Sequence, residues 1–184
     1  MLGNDVVDIK QAALDSKWQR KGYLDKIFRP EEKYEILNSS NPTTMVWLFW
    51  SMKESVYKIV NRETGLRLFN PKAFLCTTDF QTSVSCGEVF YEGQTFYTRS
   101  SVKPNFIHSI ALPVKGSFGA IETIWLAYTD TYRSDFNSKS SNYQFRKNEC
   151  GMPEFLNRKS GEVYPASVSH HGRFLAIVFR SLSH

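Results

Sequence analysis

Residues 44–60, TMVWLFWSMKESVYKIV, constrain the fold more than any other stretch of the chain. On a wheel of about 100° per residue, Val46, Phe49, Trp50, Val56, Tyr57 and Val60 fall on one arc. Leu48 and Met52 lie elsewhere, so the helix is apolar nearly all round. Such a helix belongs in the centre of a domain, with other elements packed around it. Lys53 falls inside the apolar arc, where a lysine either snorkels to solvent or meets a buried anion. Ser51, Glu54, Ser55 and Lys58 make the polar sector. Glu54 and Lys58 are four apart in the favourable order, which reads as a surface pair worth roughly 0.2–0.5 kcal/mol. A carboxylate between two ammonium groups also reads as a Mg²⁺ ligand, provided substrate phosphates share the ion.

The elements around that helix are expected to be mixed. Residues 2–9 (LGNDVVDI) read as a short strand. Residues 10–40 are polar and helix-rich with a break at Gly22, and Pro30-Glu31-Glu32 reads as a helix start. Residues 66–112 hold several β-prone runs, with Glu92-Gly93 as a hairpin corner. Lys115-Gly116-Ser117 is a candidate junction, and residues 121–129 a further strand. Residues 130–148 read as a short helix or loop, and residues 167–179 as a buried strand.

Two acidic residues interrupt the first strand. Asp5 and Asp8 are costly to bury without a cation or donor. Three apart on a strand, they face opposite sides and do not easily enter one site. Each is read as an exposed or capping residue, or as a metal ligand. Near the other end, Ser169, His170, His171 and Arg173 cluster before apolar residues. Adjacent histidines on a strand point apart, which argues against a metal site. The glycine that precedes the serine of a nucleophile elbow is missing. Two readings remain: a polar turn, or a phosphate-binding turn whose hydroxyl, imidazole and guanidinium donate to an anion. Taken together, an acidic pair and two groups of cationic donors suit a bound polyphosphate.

The formal charge of +5 favours anionic partners without selecting among them. With 41% hydrophobic, 15% aromatic and 22% charged residues, the balance is the opposite of a disordered chain. No run of 18 apolar residues occurs, so no membrane helix is expected. The first ten residues carry two carboxylates where a secretory leader needs an apolar run, which points to the cytoplasm. Cys76, Cys86 and Cys150 are odd in number and widely spaced, and are expected as reduced thiols. There is no basic stripe for nucleic acid, whose binding would fall steeply with salt.

Three segments resemble the 4′-phosphopantetheinyl transferase superfamily. Gly3-Asn4-Asp5-Val6-Val7-Asp8-Ile9 resembles its Gly-x-Asp strand motif. Trp50-Ser51-Met52-Lys53-Glu54-Ser55-Val56-Tyr57-Lys58, followed by Gly65-Leu66, resembles its W-x-x-K-E-x-x-x-K helix motif and is the most specific match. Residues 167–174 (SVSHHGRF) resemble its Ser-His motif in the surfactin-synthetase-activating form, and Gly151-Met152-Pro153 resembles the Gly-Lys-Pro of that form. The motif order is that of the small holo-acyl-carrier-protein synthases, which are trimers. The surfactin type instead joins two similar halves, with Ser-His in the first.

The resemblance implies an α+β, 4′-phosphopantetheinyl transferase-like fold of antiparallel sheets with packed helices and a pseudo-two-fold. Residues 1–118 would be the half with the metal and Lys-Glu motifs, and residues 119–184 a shortened Ser-His half placed after it. The permuted chain is expected as a monomer, with a trimer as the alternative. The implied reaction moves phosphopantetheine from coenzyme A to a serine of an apo acyl carrier protein or carrier domain, releasing 3′,5′-ADP. Asp5 and Glu54 would hold Mg²⁺, or Mn²⁺ in its place, on the pyrophosphate. Glu54, directly or through water, would take the serine proton, and Lys58 would contact phosphate. Ser169, His170 and Arg173 would face the coenzyme A nucleotide, with His170 near its 3′-phosphate; Lys53 would contact substrate or pack. Val7 stands where the surfactin type has a second acid, leaving Asp8 or water to complete the metal shell. Met152 replaces a phosphate-contacting lysine. The alternative reading is a catalytically silent module that binds coenzyme A or a carrier protein on the same fold.

Overall fold

The computed structural model describes residues 1–65, 67–80 and 83–180. Leu66 of the helix motif and residues 181–184 of the second half lie outside the described residues. The chain opens with strand β1 (Gly3–Asp8), followed by helices α1 (Ile9–Asp15), α2 (Tyr23–Ile27), α3 (Pro30–Asn38) and the long α4 (Pro42–Thr64). Then come β2 (Leu75–Thr78), β3 (Val84–Tyr91), β4 (Gln94–Val102) and β5 (Phe106–Leu112). The remainder is β6 (Ile121–Ala127), α5 (Tyr132–Lys139), β7 (Tyr143–Lys147), β8 (Pro153–Asn157), β9 (Val163–His171) and β10 (Phe174–Arg180).

The strands form two antiparallel five-stranded sheets, in the orders β1-β5-β4-β3-β2 and β6-β10-β9-β8-β7. The order within one sheet repeats that within the other. The fold is therefore α+β, with antiparallel sheets and packed helices as expected.

Helix α4 is the centre of the first sheet's core. Pro42 starts it, the Asn41 side chain accepts the Thr44 N–H at 3.1 Å, and Gly65 ends it in a left-handed conformation. Val46, Leu48, Phe49, Met52, Val56 and Ile59 are fully buried, each contributing roughly 1.5–3 kcal/mol. The helix lies against β1 and β5. At Gly3 the approach is so close that a Cβ would stand 2.0 Å from the Ser55 carbonyl oxygen. Any larger residue would push β1 off α4, so this glycine seats the strand. The second core, of Phe145, Phe155, Tyr164, Leu175, Ile177 and Phe179, lies on the other sheet beneath Tyr132 and Phe136 of α5.

Two segments depart from the sequence expectation. Residues 167–179 form not one strand but the hairpin of β9 and β10, with a two-residue turn at Gly172-Arg173. Gly172 has φ of +53°, and a Cβ there would lie 2.6 Å from an Asp8 carboxylate oxygen, so the turn fits only because it is glycine. Residues 130–148 hold α5 and also β7, whose polar sequence YQFRK hides a strand with one inward aromatic, Phe145. Cys76 is buried, and Cys86 and Cys150 are exposed; none is in a disulfide.

Candidate active site

β1 lies across β9 and β10 while its other face meets α4. The pleat sends Gly3, Asp5 and Val7 toward α4 and Asn4 and Asp8 toward the β9–β10 hairpin. Asp5 thus meets the polar sector of α4. Ser51 Oγ donates to the Asp5 main-chain oxygen at 3.1 Å. Lys58 Nζ donates to the Asn4 main-chain oxygen at 2.7 Å and to Asp5 Oδ1 at 3.4 Å. The other carboxylate oxygen, Asp5 Oδ2, is buried without a partner among the described residues.

This arrangement holds more negative charge than its surroundings neutralise. Burial pushes the Asp5 carboxyl above the usual range, opposed by Lys58. Burial and then the charge of Asp5 push Glu54 up to about 7, again opposed by Lys58. Two carboxylates of raised proton affinity, one raising the other and holding an orphaned oxygen, have the chemistry of a site for a hard cation. No group of three or more His, Cys, Asp or Glu that could hold a metal gathers among the described residues. Water or substrate oxygens would therefore complete the shell, as Mg²⁺ prefers. Val7 shares the Asp5 face but is packed into the core.

Lys58 also lines a cleft of about 330 Å³. Arg62 joins it from α4, Arg133 from α5, Lys147 from β7 and His170 from β9. Gly151 and Pro153 line it too, and no carboxylate among the described residues does. The Arg62 guanidinium, lowered from its usual range by burial, donates to the Leu2 carbonyl at 3.1 Å. The His170 ring stacks on Tyr128, with centroids 4.3 Å apart and planes at 15°. Burial first, and then Lys58 and His171, lower its proton affinity. The cleft is thus a cationic pocket opening beside two carboxylates.

Residues 1–111, which carry β1 and α4, match the family described as the 4′-phosphopantetheinyl transferase superfamily. The chain belongs to that superfamily. It is a transferase of the phosphopantetheine kind, from a family that takes coenzyme A as substrate and acts on carrier proteins. No curated protein matches the chain. No helix among the described residues is long and apolar enough to cross a membrane.

Several of the expected residues stand away from this cleft. Lys53 is fully buried. Its ammonium donates to Glu32 Oε1 at 2.7 Å and Oε2 at 2.9 Å, to Pro71 O at 3.0 Å and to Phe74 O. Its donors are saturated, so of the two roles expected for it the structure gives packing and not a substrate contact. Its partner Glu32 also accepts the N–H groups of Arg29 and Cys76, each at 2.8 Å.

Ser169 is buried and turned inward, its hydroxyl accepting the Asn4 amide at 2.8 Å. Ser169 and Arg173 do not line the cleft. Arg173 donates through Nε and its main-chain N–H to Asp8 Oδ2, at 2.9 and 3.1 Å, and through Nη2 to Oδ1 at 3.3 Å. Asp8 Oδ1 also caps α1, accepting from Lys10 N at 3.1 Å and Gln11 N at 3.4 Å. Arg173 holds the Asp8 carboxyl down to about 2. Asp8 is a fastener between β1, α1 and the hairpin, on the face of β1 away from Asp5.

Sequence reasoning missed Glu32, Arg62, Arg133 and Lys147. Arg62 had a signal, since Glu54, Lys58 and Arg62 recur every four residues on one helix face. The others converge only through tertiary packing.

Proposed function

We propose that the protein transfers the 4′-phosphopantetheine arm of coenzyme A to a serine hydroxyl of an apo acyl or peptidyl carrier protein, with Mg²⁺, releasing 3′,5′-ADP. The observation that carries this is Lys58, which stands both on Asp5 and in the cationic cleft. It supports a reading in which the pyrophosphate lies where cleft and carboxylates meet.

In this reading the serine oxygen forms a bond to the phosphorus that bears the pantetheine arm. The bond from that phosphorus to the bridging oxygen breaks, and the electron pair leaves on 3′,5′-ADP. Mg²⁺ held by Asp5 and Glu54 would supply Lewis-acid stabilisation of the pyrophosphate charge. Glu54 takes the serine proton directly or through water. Lys58 offsets charge on the leaving phosphate. Arg62, Arg133 and Lys147 bind phosphate oxygens, and His170 serves the 3′-phosphate of the nucleotide.

We also read the chain as two halves, residues 1–118 and 119–184, forming one site within a monomer. The repeated strand order of the two sheets supports this, since β1 pairs with the last strand of its sheet as β6 does with the last of its own. A trimeric mass in light scattering would overturn it.

The deciding experiment is intact-mass spectrometry of apo carrier proteins incubated with the protein, coenzyme A and Mg²⁺. A metal-dependent gain of one phosphopantetheine on the carrier serine is expected. No gain on fatty-acid, polyketide or peptide carriers, with coenzyme A still bound, would overturn transfer in favour of a silent binding module.

A further inference from the structure

The residue between the glycine and the aspartate of the first motif is Asn4. It is fully buried and makes more contacts between the two sheets than a filler residue needs. Its main-chain N–H donates to Ser167 Oγ at 3.1 Å. Its side-chain nitrogen donates to Ser169 Oγ at 2.8 Å and to the Ala176 carbonyl at 3.3 Å, and lies 3.1 Å from His108 Nε2. Its main-chain oxygen accepts Lys58 Nζ at 2.7 Å. The amide orientation is set by the Ala176 carbonyl, which can only accept. His108, kept neutral by burial, can accept at Nε2. The amide oxygen, Asn4 Oδ1, is left buried without a partner among the described residues.

An orphaned amide oxygen is unfavourable, and an apolar residue of similar size would avoid it. The same apolar residue would leave Ser169 Oγ and the Ala176 carbonyl without the Asn4 donor, so the amide also carries structure. Its contacts suggest a further role. On β1 the next residue is Asp5, pointing the other way toward α4. On β9 the residue after Ser169 is His170, pointing the other way into the cleft. The Asn4–Ser169 hydrogen bond therefore sits one residue behind each of the two site residues, at the crossing of the strands that carry them. Asn4 also holds Lys58 through its backbone. One residue touches the Lys-Glu helix, the Gly-x-Asp strand and the Ser-His strand.

We propose that Asn4 is the positioning residue of the site: with Ser169 it sets where His170 stands relative to Asp5, Glu54 and Lys58. This rests on the transferase reading above. Ser169 then acts through Asn4 and not through a contact to coenzyme A. The role is directional. The amide donates to β9 and β10 and touches His108 on β5, which neither alanine nor leucine reproduces.

The test is a double-mutant cycle of Asn4→Ala and Ser169→Ala, read in kcat and in KM for coenzyme A, with thermal melts as the folding control. Each single variant should lower kcat about tenfold with KM changed less than about twofold, and the double variant should again lose about tenfold because both remove one link. A loss near a hundredfold in the double variant would show two independent effects and overturn the proposal. So would a Ser169→Ala variant whose KM rises with kcat intact, since that marks a direct coenzyme A contact. A second readout needs no turnover. Mn²⁺ added to the full chain should broaden the His170 imidazole resonance, and Asn4→Ala should change that broadening. Broadening unchanged by Asn4→Ala overturns the positioning role even if transfer is established. No broadening in the unaltered protein, with no transfer, instead brings down the functional reading itself.

Discussion

Lys58 Nζ stands 3.4 Å from Asp5 Oδ1 while its side chain lines the cationic cleft, so one ammonium group joins a carboxylate and a cationic wall. Removing it should be felt on both sides. Lys58→Met is expected to lower kcat by about 10²–10³, the usual loss for one preorganised donor at a site of developing charge. It should also raise KM for coenzyme A. Because Lys58 lowers the proton affinity of both Asp5 and Glu54, its loss should move the Glu54 carboxyl titration upward. Carboxyl ¹³C NMR of the metal-free variant measures that shift. A titration that stays in place would detach Lys58 from the carboxylate pair.

Glu54 gives the metal-free protein a pH dependence of definite sign. Its affinity in the folded chain, about 7, lies above the ordinary carboxylate value of 4.5. Below pH 4.5 both folded and unfolded states hold the proton and nothing is lost. As the pH rises toward 7, the unfolded chain ionises first, so stability falls by up to about 3 kcal/mol and then levels off. Mg²⁺ binds the ionised form, so its stabilising effect should be larger at pH 8 than at pH 5.5. Glu54→Gln should flatten the pH dependence and abolish the Mg²⁺ effect. Differential scanning calorimetry with and without Mg²⁺ reads both.

Asp8 should behave in the opposite way. Arg173 holds its carboxyl down to about 2, so its stabilisation is complete above about pH 4 and is lost as the pH falls toward 2. Because Arg173 is largely exposed, screening reduces the contribution to about 1–2 kcal/mol. Asp8→Asn should therefore lower Tm at pH 7 and much less at pH 2.5. It should leave Mg²⁺ binding intact, whereas Asp5→Asn should abolish Mg²⁺ binding and turnover with the fold retained. Isothermal titration with Mg²⁺ separates the two. Loss of Mg²⁺ binding in Asp8→Asn would return Asp8 to the metal shell.

The opposite facing of the two aspartates was legible in the sequence. Asp5 and Asp8 are three apart on a strand, and the pleat alone sends them to opposite faces. On β9 the rule is applied only to His170 and His171, while Ser169 and His170 are expected to face the nucleotide together; the structure puts Ser169 against Asn4 and His170 in the cleft. The wheel flagged Lys53 as misplaced among aromatics. It could not name Glu32, because that partner comes from α3, 21 residues away in sequence. Arg133 and Lys147 were illegible for a different reason. Each is one of 23 lysines and arginines in the chain, and only the meeting of α4, α5 and β7 distinguishes these two from the rest.

Their convergence predicts a specific binding behaviour. Arg133 and Lys147 are both exposed, so each contributes through partly screened contacts. Arg133→Ala and Lys147→Ala should each weaken coenzyme A about three- to tenfold, with kcat little changed at saturation. His170→Ala should raise KM for coenzyme A while leaving that for the dephospho form nearly unchanged, since only the former carries the 3′-phosphate. Equal effects on the two forms would move His170 away from that phosphate.

Lys53 should separate stability from chemistry. Its ammonium and the Glu32 carboxylate are both buried, and the pair is fully hydrogen-bonded. Removing one partner leaves an uncompensated charge in a low-dielectric core, which costs about 3–5 kcal/mol. Lys53→Met is expected to lose that much in urea unfolding. Adding Glu32→Gln should recover part of it, because the stranded charge is gone and the amide oxygen still accepts one of the two N–H groups that Glu32 holds through its separate oxygens. If Lys53 held substrate instead, the double variant would stay inactive however stable it became. The structure predicts the reverse: kcat and KM per folded molecule should return to within about twofold of the unaltered protein, since Lys53 faces α3 and the Pro71–Phe74 turn and not the cleft.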